Sequence, residues 1–574
     1  MMRWWWLTVF FFAPVFGWAK TEQPLCGRFY VLKETLSFTQ LFGKNDQLLI
    51  CGSDVEGWQH VPQAQALYHI RVILNSQGYF SPSVRAEGEK LVIDPGPRSF
   101  VRKIIFKNDP EGFKDLIFRG IQDKPLTPAA ITNVKDWSRS RLRAMGYPCP
   151  EVEVRAAYET ETLEILLTPG PKLKLKKVIR PETAELLPQA FIRQDAFQIG
   201  DFFNADLLNL TSRRLITSDL AQFAHFEDRC TGSGAEATEK VILGKPRTLI
   251  FAVGASTEEL PIFKTEWKNS RIDPFGSTLT GSFYASSRRQ SLAGSAQLYW
   301  FPQIPELYVL PTVEVRRETE PTYKSLSEEF QFGLAHVNDD SHNRYTFQYL
   351  PTYTIEDTLE GEGPSHVNYF SFETRFQIMS HYFEYYQATP QEGYAFNGYW
   401  QAQRDGLGSP LSLDLLNFNG TYLINLGRFD PPLTVLGVRF GHSVLMTSDL
   451  AGTPASFRLF LGGADDVRGF SRKSINNANS GYQTTSYLGV EARFLEMLPW
   501  QLQPYVFIDG AKVGETAWTW EQSTYISPGV GVRWQSPVGS LRGSVAKGGI
   551  LKKDLSKPQP KEEWNFYLSY GREF

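Results

Sequence analysis

From about residue 248 to the end, the chain keeps a two-residue hydrophobic alternation and gives little helical signal. No other property limits its fold so strongly. Side chains alternate across a strand, so this period gives each strand one apolar and one polar face. The pattern recurs in "STLTGSFYASS" (277–287), "HVNYFSFETRFQIMSHYFEYYQ" (366–387), "TVLGVRFGHSVLM" (434–446), "SYLGVEARFLEM" (486–497) and "WNFYLSYGREF" (564–574). The turn sequences "DPFGS", "DGLGSP", "DPPL" and "SPVGS" fall between such runs. In the last run Trp564, Phe566, Leu568, Tyr570 and Phe574 share one face, and Asn565, Ser569 and Glu573 share the other.

The N-terminus indicates where these strands reside. "MMRWWWLTVFFFAPVFGWAK" has an early Arg3, an apolar run from Trp4 to Phe16 and a "GWA" site before Lys20. It reads as a secretory signal peptide over 1–19, cut near Ala19. The run falls short of the ~20 residues that span a bilayer, and Pro14 interrupts it. No other stretch reads as a spanning helix, and an exported chain without one can occupy a membrane only as a barrel. Aromatic residues, at 14%, suit the girdles of such a barrel. At ~20 residues per strand and turn, the region predicts about 16 antiparallel strands. A soluble β-sandwich is the competing reading, and the leader and the aromatic load argue against it.

Residues 25–247 mix helical and strand patterns and contain a repeat. "QGYFSPSV" (77–84) returns as "MGYPCPEV" (145–152), and "LVIDPGPR" (91–98) returns as "EILLTPGPK" (164–172). A helix precedes each copy, with Leu67, Ile70 and Leu74 on one face in the first. In the second, Ile131, Val134, Ser138, Leu142 and Met145 form the face. A weaker third copy runs through "GDFFNADLLNLTSRRLITSDLAQF" (200–223) and closes at "KVILGKPR" (240–247). Each copy reads strand, helix, helix, strand, strand, which predicts three small α+β domains at 25–97, 98–172 and 173–247, ahead of a barrel at 248–574. Four cysteines make no disulfide scaffold, although Cys26 and Cys51 share the first unit and are a candidate pair. The state of Cys149 and Cys230 stays open.

Parity assigns the barrel interior. Val490, Ala492 and Phe494 are one apolar set, so Glu491 and Arg493 face inward. Val506 and Ile508 face outward, which turns Tyr505, Phe507 and Asp509 inward. Val530, Val532 and Trp534 leave Gly529, Gly531 and Arg533 inside. Between strands taken to end at Leu461 and begin near Ser486 lies "GGADDVRGF" (462–470), long enough with its flanks to fold back into the barrel. Arg468 can then reach Asp509 or Glu491, a directional guanidinium–carboxylate contact.

"GGADDVRGF", "FIDGA" and "GVGVRWQSPVGSLRGSVA", with an aromatic terminal strand, resemble the outer-membrane assembly superfamily of BamA, TamA and the two-partner-secretion transporters. The resemblance implies N-terminal POTRA domains and a 16-stranded transmembrane β-barrel in the bacterial outer membrane, with the POTRA domains in the periplasm. Three such units in a chain of 574 residues are most similar to the TamA branch. The branch implies a TamB-like periplasmic partner and clients that are outer-membrane proteins such as autotransporters. It makes Val467, Arg468, Gly469 and Phe470 the lumen-loop motif, with Asp509 and Glu491 as its partners. Phe507, Gly531 and Arg533 form the inward strand motif. Gly510 stands one place earlier than the glycine of the family's strand pattern. Gly571 and Phe574 belong to the terminal strand, where a weak seam with a first strand near Thr248–Thr257 would open laterally. A two-partner-secretion transporter and a passive porin with periplasmic adaptor domains are the alternatives.

No HExxH, CxxC, phosphate loop or nucleophile elbow occurs, so no catalytic residue, metal or cofactor is expected. A net charge of −3 gives no case for nucleic acid.

Overall fold

A computed structural model describes residues 22–25, 28–32, 41–52, 61–88, 90–232, 234–386, 391–495, 497–536, 539–553 and 559–570. The leader, Cys26 (hence the Cys26–Cys51 pairing), Gly571 and Phe574 lie outside them. The chain forms two compact bodies. One comprises residues up to Pro110 with Phe118–Arg139 and Glu151–Thr168. The other comprises Glu111–Ile117, Ser140–Pro150 and everything from Pro169 onward.

The first body holds two small sheets with the same wiring. Strand Arg28–Leu32 runs parallel to Lys90–Asp94, which pairs antiparallel with Ser83–Glu87. Between them come helices Lys44–Cys51 and Gln63–Ser76, the second burying Ala66, Ile70, Ile73 and Leu74. Strand Lys103–Lys107 likewise runs parallel to Thr162–Thr168, which pairs antiparallel with Glu151–Ala157. Leu163, Ile165 and Leu167 alternate into its core. The first of the two expected helices of this copy is only the single turn Phe113–Asp115, which belongs to the second body and is entered through left-handed Gly112. The second is Pro128–Ala144, and Val134, Ser138 and Leu142 are buried along its expected face.

In the second body the wiring occurs a third time. Leu175–Ile179 is parallel to Gly234–Leu243, and Ala221–Thr231 is antiparallel to it. Helices Pro188–Ile192 and Ala205–Thr217 lie between them in sequence, and Asn204 caps the longer one by accepting from the Asp206 amide. The Cys149–Cys230 disulfide ties the "GYPCP" segment to this sheet.

The rest is a closed antiparallel barrel of sixteen strands, from Arg247–Ser256 to Trp564–Tyr570. The fifteenth is interrupted at Gly548, between Gly539–Lys547 and Gly549–Ile550. Alternation decides the faces: along Lys324–Asp339, Phe330, Phe332 and Leu334 are exposed, whereas Ser325, Ser327 and Gln331 are buried. A bilayer would cover the first set and the lumen holds the second.

The long helix of the third repeat docks on the barrel rim. Arg214 donates to Glu384 at 2.8 and 2.6 Å and to Asp339 at 2.7 Å, and His381 also lies 3.0 Å from Asp339. Arg193 covers the ring of Tyr299 at 3.6 Å and donates to the carbonyls of Phe275 and Gly276.

One expectation is corrected. "SFRLFL" is not the end of a barrel strand: the eleventh strand is Thr434–Thr447 and the twelfth Thr484–Phe494, so the connecting loop is 448–483. Leu459 and Leu461 instead pair with Tyr482 and Ile475 inside the loop. Leu461, Val467, Phe470, Ile475 and Tyr482 join Ala511, Val513 and Tyr525 of the wall in one apolar cluster. The apolar run that mimicked a lipid-facing strand therefore packs an interior loop.

Candidate functional site: an inward loop and the barrel seam

The loop motif reaches the wall at Arg468, whose side chain is 1% exposed. Its Nε and Nη2 donate to the two carboxylate oxygens of Asp509 at 2.9 and 2.8 Å, and Nη1 donates to Glu491 at 2.7 Å. The Arg468 backbone amide adds a bond to Asp509 at 3.2 Å. The choice between Asp509 and Glu491 resolves as both. Glu491 stands in the twelfth strand and Asp509 in Leu502–Gly514, the thirteenth, so one guanidinium spans two strands. Burial of charge is costly unless every group is paired, and this geometry pairs them.

Glycines make room for the contact. Gly489 faces Asp509 across the strand pair, and a Cβ there would stand 2.6 Å from Asp509 Oδ1. Phe507 faces Gly529 and Tyr505 faces Gly531; each ring occupies the space that a Cβ on the glycine opposite it would need. The Phe507 ring thus lies under the Arg468 guanidinium, 3.3 Å from its centre, a cation–π stack. Gly469 of the loop approaches the strand break at Gly548 so closely that a Cβ would come 2.6 Å from the Gly548 nitrogen. Phe470 is buried, edge-on to Tyr525 at 5.6 Å.

The two aspartates differ. Asp465 is exposed, and its carbonyl accepts from Arg439 at 3.1 Å. Asp466 accepts from the Gly462 amide at 2.8 Å and from the Val467 amide, closing the turn. Burial pushes its carboxyl up to about 7, against the lowering effect of those amides.

More arginines converge than the loop motif suggests. Arg493 Nε bonds Glu491 at 2.7 Å, Arg542 lies 3.3 Å from Glu491, and Arg439 lies 3.5 Å from Asp509. Strand parity reaches Arg439 and Arg542 too: Arg439 alternates with Val438 and Phe440, and Arg542 with Leu541 and Gly543. Arg533 is buried on the inner face as expected, and with Arg493, Gln503 and Gln535 it lines a separate cavity of ≈ 470 Å³.

The seam joins the first and last strands. Among the described residues it consists of Ala255 opposite Tyr570 and Ser256 opposite Ser569, with the Thr257 amide donating to the Leu568 carbonyl at 3.0 Å. The last strand pairs with its other neighbour from Leu541–Tyr570 to Lys547–Trp564. Trp564, Phe566 and Leu568 are exposed, as parity requires, and Asn565, Tyr567 and Ser569 turn inward.

The Omp85 superfamily domain model matches residues 243–574. Among solved structures, the chain is similar to BamA from Haemophilus ducreyi lacking POTRA domains 1–3. That match has 15% identity and a TM-score of 0.51 and covers 82% of this chain and 99% of that one. It is also similar to CdiB from Escherichia coli at 13% identity and a TM-score of 0.46, covering 88% and 96% of the two chains. CdiB from Acinetobacter baumannii gives 14% identity and a TM-score of 0.43, covering 85% and 90%. No curated protein matches the chain. The family model spans more than half of the sequence, so this chain belongs to the Omp85 superfamily, as an outer-membrane β-barrel.

Proposed function

We propose that the chain is an assembly factor that inserts outer-membrane proteins, autotransporters among them, through lateral opening of its barrel. The observation that carries this reading is the Omp85-type barrel closed by its first and last strands, with Ala255 opposite Tyr570 and Ser256 opposite Ser569. Backbone groups freed at that edge can pair with an incoming strand, which supplies affinity without demanding one side-chain sequence. The three repeats act as periplasmic POTRA domains, and a sheet edge of the first receives a TamB-like partner. The work is mechanical rather than enzymatic.

The test is depletion of the protein followed by an inventory of the outer membrane. Loss of a subset of barrel proteins is the expected result, restored by the wild-type chain. An unchanged inventory with loss of one secreted soluble polypeptide would assign the two-partner-secretion role instead. A steady large conductance with neither loss would assign the porin role.

A further inference from the structure

The loop that carries Arg468 also touches both edges of the seam. On the last strand, Asn565 Nδ2 donates to the Gly469 carbonyl at 2.7 Å, and the Tyr567 hydroxyl donates to the Phe470 carbonyl at 2.8 Å. Ser471 Oγ lies 3.0 Å from Asn565 Oδ1. On the other edge, Glu258 sits in the turn after the first strand. It accepts from the Ala464 amide at 3.1 Å, and its second oxygen lies 3.5 Å from Arg472. Gly463 permits the approach, since a Cβ there would stand 2.8 Å from Glu258 Oε1. Arg472 is held in turn by two bonds of 2.9 Å to Glu320.

Residues 464–472 therefore contact the first hairpin at both ends, through Ala464 and Arg472, the last strand through Gly469, Phe470 and Ser471, and the twelfth and thirteenth strands through Arg468. Both seam edges are fastened to a third body that is itself anchored on the wall. We propose that this loop is the latch of the seam, with Glu258, Asn565 and Tyr567 as its positioning residues: closure is held by loop-to-strand bonds as well as by the pairing of the first and last strands. The charged contacts at Arg468 fix the latch, and the neutral bonds from Asn565 and Tyr567 are the part that releases. The inference deepens the lateral-opening reading and rests on it only for the consequence in client assembly.

The test uses the full chain in phospholipid vesicles with Ser256→Cys and Ser569→Cys, which face each other across the seam. No described cysteine is free to compete. Disulfide formation between the pair reports closure. Adding Tyr567→Phe removes one neutral hydrogen bond and is expected to slow cross-linking about fivefold, with Asn565→Ala slowing it further. Glu258→Ala, on the opposite edge, is expected to slow it as well. An unchanged rate in Tyr567→Phe, which deletes only a hydroxyl and leaves the strand intact, overturns the latch. The oxidised pair then tests the parent reading separately. If the locked protein still assembles client barrels, lateral opening is wrong, while the cross-linking rates still decide the latch.

Discussion

One loop meets the barrel wall in two ways. At the twelfth and thirteenth strands it presents a buried guanidinium to two carboxylates over an aromatic face. At the last strand it offers backbone carbonyls to one amide and one hydroxyl. A buried charge that loses its partner stays buried and uncompensated, so the first contact breaks at high cost. A neutral hydrogen bond is exchanged for one with water or with another strand at a net cost of about 1 kcal/mol. The same segment is thus fixed at one wall and releasable at the other.

The largest expected effect breaks the fixed side. Arg468→Ala removes the paired hydrogen bonds of buried Asp509, which keeps only Arg439 at 3.5 Å, and one of the three arginines at Glu491, and should cost about 3 kcal/mol. The measurement is the denaturant midpoint of barrel unfolding in detergent, and a midpoint equal to wild type would remove the anchor from this account. Arg468→Lys keeps a charge but cannot bridge both acids in the same fork, so it should recover only part of the loss.

Arg214 asks whether the rule is general. It is the same device, a buried arginine between Glu384 and Asp339, placed where the third repeat meets the rim. Arg214→Ala should free helix Ala205–Thr217, read as faster amide exchange there by about 30- to 150-fold, for a loss of roughly 2–3 kcal/mol. Equal acceleration throughout the barrel would mean that the contact is not local.

Gly489→Ala sharpens the comparison from the wall side. A new Cβ 2.6 Å from Asp509 Oδ1 must push the carboxylate off Arg468, at an expected cost of about 1–3 kcal/mol. The same change at Gly281, which has open space around its Cβ position, should cost far less.

The smallest effect concerns pH. Burial raises Asp195 in the third repeat from near 3.8 to about 7, against the attraction of Arg180, and burial raises Glu239 beside it as well. A raised acid makes the folded state take up protons that the unfolded state has released. Stability from Asp195 is therefore present at low pH and is lost as pH rises toward 7. The stability of wild type relative to Asp195→Asn should be greater at pH 5 than at pH 8, measured by amide exchange in strand Gly234–Leu243. A pH-independent difference would show that Asp195 remains ionised throughout.

Much of the inner wall was legible in sequence because the strand period is two and the lipid side must be apolar. Glu491, Asp509, Phe507 and Arg533 all lie on the faces that parity assigned. The run "SFRLFL" misled because apolar residues that fill a lumen loop resemble those that face lipid over so short a stretch. Glu258 carried no signal: a glutamate in a hairpin turn is ordinary until the chain brings the loop at 464–472 beside it.

The sequence by itself determined that this chain closes a barrel and which side chains enter it. Alternation and the need to satisfy every backbone group in a membrane allow little else. Only the tertiary structure decided that Arg468 takes both acids, that Gly489, Gly529 and Gly548 are clearances for neighbours, and that one loop grips both seam edges. Those facts depend on distances between residues far apart in the chain, and periodicity carries no information about such distances.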